Sequence, residues 1–193
     1  MTSTSFPVAL RLEGRSVLVV GSGEVALARV TRLREAGALV RVVEANDFVP
    51  SDVQGAWLVF ASSDNAGRDA DVFAACEARG ILCNAMDQPS ACSFFLMSEA
   101  RLGNVTLAVG TGGTAPGLTG RLRREARAGL PDDIADLVHA YGTVRKNLAE
   151  NKDLELPARR ALLRWLAAQP WPFFRQPLDE QLRQVTQHSS TPG

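Results

Sequence analysis

An apolar run leads directly into a glycine-rich turn and then into a helical pattern, which limits the fold more than any other feature. The run is Val17–Val20, and residues 21–26 follow it in the pattern G-x-G-x-x-A. The first glycine allows a tight turn, the second lets the backbone approach a pyrophosphate, and the small last residue lets the helix lie on the sheet. Amides at the helix start then face the phosphates. The sequence predicts dinucleotide contacts at Gly21, Ser22, Gly23, Glu24 and Val25.

The segments after this turn complete a βαβ unit. Apolar residues at helical spacing predict a helix that ends at Gly37. The strand Leu39–Val43 follows and runs into Glu44, which lies 23 residues after Gly21. A carboxylate at this distance binds the adenosine ribose hydroxyls of NAD and repels the 2′-phosphate of NADP. NAD is therefore the predicted cofactor. The alternative is a glycine turn in another kind of α/β protein, with Glu44 simply solvated.

Polar residues follow two further predicted strands. The apolar run Trp57–Ala61 is typical of a buried parallel strand, and the cluster Ser62-Ser63-Asp64-Asn65 comes directly after it. Ligands of open α/β sheets bind at the carboxyl ends of the strands. We therefore expect Ser62, Ser63 and Asp64 at the cofactor site. The strand Ile81–Ala85 leads to Asp87, but an aspartate close before a proline is more often a turn former than a catalyst.

The length of the chain limits the architecture. With 193 residues, of which 46% are hydrophobic, it can bury one good core with an appendage. Only eleven residues separate Glu44 from Ala56, too few for a crossover helix and another strand, so the sheet is predicted to be abbreviated. Val8–Leu12 is compatible with an edge strand. Ser93–Met97 and Val105–Val109 predict an antiparallel hairpin around Gly103-Asn104.

A second glycine-rich loop precedes a basic helix. Residues 110–117 form the loop, and the helix predicted from Leu118 to Ala128 carries Arg121, Arg123, Arg124 and Arg127. A helix start of this kind can hold an anion. The alternative, a linker followed by a solvated basic face, fits the composition equally well. Three helical segments follow, and residues 187–193 are expected to fray.

Charge and composition exclude several classes of protein. The 21 basic residues balance the 21 acidic ones, so neither a nucleic acid nor a membrane surface is predicted as the main partner. No apolar run is long enough to span a bilayer and the start lacks signal-peptide features, so we expect a cytoplasmic protein. Cys76, Cys83 and Cys92 fit neither a disulfide framework nor a zinc pattern, and two distant histidines argue against a metal site.

Taken together, five motifs resemble the precorrin-2 dehydrogenase family, which also forms the amino-terminal module of siroheme synthases. The motifs lie within residues 6–150 and are residues 21–26, Ala61-Ser62-Ser63-Asp64, Cys83-Asn84-Ala85-Met86-Asp87, Ser93-Phe94, and residues 110–116. The resemblance implies an α/β fold with a Rossmann-like NAD-binding domain at 1–91, a hairpin-plus-helix dimerisation region at 92–130 and a small helical domain at 131–193. It also implies a homodimer.

The resemblance further implies a reaction, in which precorrin-2 is oxidised to sirohydrochlorin by hydride transfer to NAD⁺ with loss of a proton. Some members also insert Fe²⁺. Asp87 matches the family's catalytic aspartate, and Asn84 of the same motif is expected to contact the cofactor. A carboxylate accepts the proton if burial moves its pKa toward neutrality. The carboxylates of the tetrapyrrole substrate are expected to bind at Thr111, Gly112, Gly113, Thr114, Arg121, Arg123 and Arg124.

The sequence departs from the family pattern at two places. Ala28 and Arg29 stand where relatives commonly carry an Arg-Lys pair, and the segment after Glu44 lacks one strand. The first departure bears on substrate anchoring and the second on the adenine side of the pocket. Two other functions are compatible with the glycine turn. A nucleotide-sensing regulatory module would not need Asp87 or the loop at 110–117, and a flavin protein would be expected to be longer.

Overall fold

The computed structural model describes residues 5–189, which divide into two compact units. The sheet unit comprises residues 5–96 and Gly110–Pro116. The helical unit comprises Met97–Val109 and residues 117–189. The hairpin therefore belongs to the same unit as the helices. The three-part division at residues 91 and 130 stays a prediction.

A parallel four-stranded sheet forms the centre of the sheet unit. The strands are β1 (Ser16–Val20), β2 (Leu39–Val43), β3 (Leu58–Ala61) and β4 (Leu82–Ala85), in the order β2-β1-β3-β4. Because all four are parallel, their carboxyl ends share one edge. Val20 at the end of β1 pairs with both Val43 and Ala61. The predicted Rossmann-like α/β fold is confirmed.

Helices cover both faces of this sheet. Helix α1 (Glu24–Glu35) buries Ala26, Val30 and Leu33 against one face, and α2 (Ala66–Glu77) lies on the other. Alternate residues of the two central strands, β1 and β3, therefore enter different cores. In β1, Val17 and Val19 lie on the α1 side, and Leu18 and Val20 lie on the α2 side. A strand buried on both faces has no polar position, which explains its continuous apolar sequence.

The short connection after β2 replaces a helix and a strand with a single turn. Residues Pro50–Val53 form a 3-10 turn, and Phe48 and Val53 are buried in the core on the α2 side. The abbreviated sheet expected from the sequence is thus observed. The edge strand expected at Val8–Leu12 is wrong, because these residues form no strand and the side chains of Val8 and Leu10 are exposed.

The first strand of the hairpin lies later in the sequence than predicted, whereas the turn and the second strand lie where they were predicted. Strands β5 (Ser98–Leu102) and β6 (Val105–Val109) are joined by the two-residue loop Gly103-Asn104, with Leu102 paired to Val105. A loop this tight requires that the first strand end directly before it, so the prediction of a strand at 93–97 is wrong. Gly103 has φ +58°, and a Cβ there would lie 2.8 Å from the Cβ of Ala135.

Five helices complete the helical unit. They are α3 (Pro116–Ala128), α4 (Ile134–Glu150), α5 (Leu156–Ala167), α6 (Trp171–Phe174) and α7 (Leu178–Ser189). Helices α4 to α7 share a core that includes Leu137, Leu166, Phe173 and Val185. The helical carboxyl-terminal region is confirmed. The fraying predicted from residue 187 is wrong for residues 187–189, which belong to α7, and residues 190–193 lie outside the described residues. None of the helices in the described chain is both long and apolar enough to cross a membrane.

Candidate functional site

The turn between β1 and α1 packs against backbone that follows β3. Gly21 has φ +113°, and its amide donates a hydrogen bond to the carbonyl of Val43 at 2.9 Å. A Cβ at Gly21 would lie 2.1 Å from the carbonyl oxygen of Ser62. No other residue type fits this position, since both the conformation and the space exclude a side chain. The turn therefore lies at the same edge as the ends of β2 and β3.

The first turn of α1 and Glu44 lie beside each other at this edge. The N-cap of α1 is Gly23, and no side chain caps the helix. Its first amides are therefore available to an anion, which the positive end of the helix dipole also favours. The hydroxyl of Ser22 donates to Oε2 of Glu44 at 2.6 Å. The structure thus brings the glycine turn and the predicted ribose-binding carboxylate together.

The loop after β3 is anchored by a buried carboxylate that sequence reasoning missed. Asp69 on α2 is only 2% exposed, and its Oδ1 accepts hydrogen bonds from the amide of Ser63 at 3.1 Å and from its hydroxyl at 2.5 Å. Burial raises the pKa of Asp69, and the two hydrogen bonds from Ser63 act in the opposite direction. The sequence feature that indicates this buried carboxylate is an acidic residue on the apolar face of α2, three residues before Val72.

This anchor fixes the orientation of the predicted cofactor residues in the loop. The hydroxyl of Ser63 is occupied by Asp69 and by the carbonyl of Asn65, and Ser62 is buried. Asp64 is exposed and adopts φ +56°, and a Cβ at Gly23 would lie 3.2 Å from its Oδ2. Of these three side chains, that of Asp64 is the one that faces the glycine turn.

At the end of β4, Asn84 and Asp87 have different environments. Asn84 is buried, and its Nδ2 donates to the carbonyl of Phe94 at 2.9 Å and to Sγ of Cys92 at 3.3 Å. Its amide group therefore holds the segment after β4 in place. Asp87 is exposed and adopts φ +57°, which is unusual outside glycine. Because the amide of Met86 donates to the carbonyl of Ala61, Asp87 starts from the same sheet edge as the glycine turn.

The loop before α3 is closed by its own threonines. Oγ1 of Thr114 donates to the carbonyl of Thr111 at 2.6 Å, and Oγ1 of Thr111 accepts from the amide of Ala115 at 3.3 Å. Gly112 and Gly113 adopt left-handed conformations with open space around them. Both glycines are exposed, so their backbone amides can meet a ligand.

The arginines of α3 divide into two kinds. Arg123 donates from Nη1 to the carbonyl of Glu99 at 2.8 Å, which ties α3 to the hairpin. Arg121 is exposed and paired with Glu125 at 2.7 Å, and Arg124 is exposed. Arg123 therefore has a structural contact, whereas Arg121 and Arg124 have solvent-facing guanidinium groups. Their role toward a substrate stays a prediction.

Arg29, one of the two residues at which the sequence departs from the family pattern, lies against the loop after β3. Its Nη1 donates to Oγ of Ser62 at 3.1 Å, and its guanidinium lies 4.7 Å from the ring centroid of Phe60. Burial lowers the pKa of Arg29, and the neighbouring charge of Arg32 lowers it further. The sequence feature that indicates this position is a basic residue three positions after Ala26, on the face of α1 that packs toward the sheet.

The site residues fit a dinucleotide. A glycine turn too tight for any side chain, an uncapped helix start and a carboxylate beside them supply the groups that bind a pyrophosphate and a ribose.

The three cysteines of the chain are free, and hydrogen bonding to Cys76 together with burial raises the pKa of the Cys83 thiol. Cys76 and Cys83 are buried in the core on the α2 side, and Sγ of Cys92 donates to the carbonyls of Ala85 and Gln88 after β4.

Comparisons with known proteins agree with this description. Residues 8–98 match the family described as "Putative NAD(P)-binding". The chain is 32% identical over 164 residues to siroheme synthase 1 of Yersinia enterocolitica, covering 75% of this chain and 35% of that protein. It is 33% identical over 158 residues to the siroheme synthase of Citrobacter koseri, covering 72% and 35%. The chain thus spans about a third of the length of these curated relatives.

A solved structure has a similar fold. The structure of "SirC, precorrin-2 dehydrogenase" superposes with a TM-score of 0.75 and covers 96% of this chain and 98% of its own. The sequence identity is 19%, so the likeness shows the fold alone. The family matched at residues 8–98, which make up most of the sheet unit, is the one described as NAD(P)-binding, and the solved structure agrees with it in fold.

The close contact between Gly21 and the backbone of Ser62 leads to a prediction about protein stability and dinucleotide binding. Gly21→Ala is expected to lower the free energy of unfolding by about 2–5 kcal/mol, because the new methyl group meets backbone that cannot move aside. The displaced turn is also expected to weaken binding of NAD(P). Urea unfolding followed by circular dichroism and titration with the dinucleotide measure the two effects.

Gly80→Ala is a matched control that separates the effect of steric crowding from the effect of a positive φ. Gly80 also has a positive φ of 64°, but a Cβ there would meet nothing within 4 Å. Gly80→Ala is therefore expected to cost only about 1–2 kcal/mol and to leave dinucleotide binding unchanged. Equal losses in the two variants would contradict the steric explanation.

Proposed function

Because the chain belongs to the family of the siroheme synthase amino-terminal module, we propose that it oxidises precorrin-2 to sirohydrochlorin with NAD⁺ as the hydride acceptor. The observation that supports this most directly is the position of Asp87. This exposed carboxylate follows β4, at the same sheet edge as the glycine turn after β1. β3 alone lies between β1 and β4, so about 10 Å separates the ends of the two strands.

The reaction requires two acceptors. Precorrin-2 loses a hydride and a proton, and NAD⁺ when bound accepts the hydride at its nicotinamide ring. Asp87 is the candidate acceptor for the proton, since its carboxylate faces open space at the edge where the dinucleotide binds. The burial that we expected for this carboxylate is not present in the isolated chain. In this proposal the bound macrocycle excludes water from Asp87.

Ser62, Ser63 and Asp69 hold the loop after β3 in position at the sheet edge. Asp69 holds Ser63 through two hydrogen bonds, which fixes the backbone from which Asp64 projects. Ser62 lies beneath, with its amide bonded to the carbonyl of Val20. The loop after β3 therefore has little freedom to move when ligands bind, which lowers the entropic cost of ordering them.

The role of Asp87 is tested with anaerobic precorrin-2 and NAD⁺, following the absorbance of sirohydrochlorin. Asp87→Asn is expected to lower kcat at least about a hundredfold, because an amide does not accept the proton. Dinucleotide affinity is expected to be unchanged. Asp71→Asn is the matched control, since Asp71 is an exposed residue of α2 within the same unit.

The outcomes of this assay separate the candidate functions. Equal rates for wild type and Asp87→Asn would remove Asp87 from the mechanism. A wild-type chain that binds NAD⁺ but does not oxidise precorrin-2 would favour a nucleotide-sensing regulatory module.

Insertion of Fe²⁺ into sirohydrochlorin is a further part of the proposal, because pyrrole protons must also leave in that reaction and Asp87 is the candidate acceptor. Adding Fe²⁺ to sirohydrochlorin with the same variants tests it separately.

Preference for NAD over NADP is proposed to depend on Glu44. Its Oε2 accepts from Ser22, and the exposed carboxylate has a second oxygen for a ribose hydroxyl. Glu44→Ala is expected to weaken NAD⁺ binding about tenfold and NADP⁺ binding much less, because the change also removes repulsion of the 2′-phosphate. Titration calorimetry with both dinucleotides measures this, with Glu35→Ala as the control. Unchanged discrimination would refute the ribose role.

A homodimer is also proposed, with α3 in its interface. No residue of α3 is buried in the described chain, and Leu118 and Leu122, one turn apart, are 52% and 41% exposed. A helix with such an apolar stripe is stabilised by a further partner. Analytical ultracentrifugation is expected to give twice the mass of one chain and to give monomers for Leu118→Glu. Leu156→Glu, at an exposed leucine of α5, is the control, and a monomeric wild type would contradict the proposal.

A further inference from the structure

Arg29 lies at the candidate site but on the side away from Glu44. The helix α1 that carries it follows β1, and its guanidinium contacts Phe60 and Ser62 of β3 and the loop after β3. In the strand order, β3 and β4 lie on one side of β1 and β2 lies on the other. Arg29 is therefore turned toward the half of the edge from which Asp87 projects, whereas Glu44 belongs to the opposite half.

The charge of this guanidinium is not neutralised by the protein. Within residues 5–189, Arg29 makes one side-chain hydrogen bond, to Ser62, and no ion pair. Ser62 is a neutral partner, and the neighbouring Arg32 carries the same charge. A guanidinium has five N–H donors, and leaving a half-buried cation without an anion costs free energy. A carboxylate ligand would use the remaining donors and offset that cost.

The surroundings of Arg29 are aromatic. The rings of Phe60 and Phe94 meet edge to face, with centroids 5.6 Å apart, and Arg29 lies over Phe60. The cation–π contact and the bond to Ser62 restrict the guanidinium to one position. A fixed cation beside aromatic carbon fits a ligand that combines a flat ring system with carboxylate side chains.

We propose that Arg29 binds a carboxylate side chain of the tetrapyrrole substrate, in the half of the edge from which Asp87 projects. This inference rests on the proposed function and adds to it a substrate-binding residue on α1. The phosphates of the dinucleotide are assigned to the uncapped start of α1. Arg29 is therefore expected to affect tetrapyrrole binding without affecting NAD⁺ binding.

Arg29→Met is the principal test, because methionine keeps much of the apolar stem and removes the charge. It is expected to raise the KM for precorrin-2 roughly tenfold to a hundredfold, with kcat within about threefold of wild type. Arg29→Lys is expected to be intermediate, since it keeps the charge without the planar donor fork. Arg34→Met is the matched control, because Arg34 is an exposed arginine of the same helix.

Direct binding separates this inference from the proposed function. Fluorescence titration with sirohydrochlorin requires no turnover, so it measures the contribution of Arg29 even if the wild type does not oxidise precorrin-2. The difference in affinity between wild type and Arg29→Met is expected to shrink at about 1 M salt, because ions screen a carboxylate–guanidinium pair. A purely structural role for Arg29 would not produce that salt dependence.

Three results would overturn the proposal. The first is an equal sirohydrochlorin affinity of wild type and Arg29→Met. The second is a loss of NAD⁺ affinity in Arg29→Met as large as its loss of sirohydrochlorin affinity. The third is a difference in sirohydrochlorin affinity between the two proteins that salt does not change. Ser62→Ala provides a second variant if Arg29→Met does not fold. It removes the hydrogen bond that holds the guanidinium and is expected to weaken sirohydrochlorin binding about threefold, and an unchanged affinity would also count against the proposal.

Discussion

The contact between the turn after β1 and the backbone after β3 is the constraint on which the site depends. The carbonyl oxygen of Ser62 occupies the space that a side chain at Gly21 would need. Because the two segments touch, the start of α1, the loop to Asp64 and the end of β2 meet at one edge. A larger separation would leave the helix dipole and the acidic side chains too far apart to bind one dinucleotide.

Charges around this edge are arranged by position in the sheet. Glu44 lies beyond β2 and accepts from Ser22, whereas Arg29 leans over β3 and Asp87 follows β4. The half that we assign to the adenosine ribose is therefore acidic, and the half that we assign to the substrate combines a cation with a candidate base. The cation therefore lies in the half that we assign to the substrate with its many carboxylates.

Much of the sheet unit was predictable because its signals are local. The apolar run Val17–Val20, the glycine pattern and Glu44 are each recognisable from a few neighbouring residues. The errors occurred where local signals are ambiguous. Ser93–Met97 is apolar enough for a strand, yet Phe94 packs on Phe60 instead, since the tight turn at Gly103 sets the register of the hairpin.

By itself, the sequence determined the Rossmann-like fold, the dinucleotide turn and the strand ends that carry the candidate residues, because periodicity and glycine positions dictate them. Only the tertiary structure decided which side chains are free to act. Asn84 and Ser63 have their polar groups bound within the protein, whereas Asp87 is exposed and Arg29 reaches Ser62 across 33 positions of sequence. Such partnerships depend on how α1 and α2 pack against the sheet, and no local pattern specifies that packing.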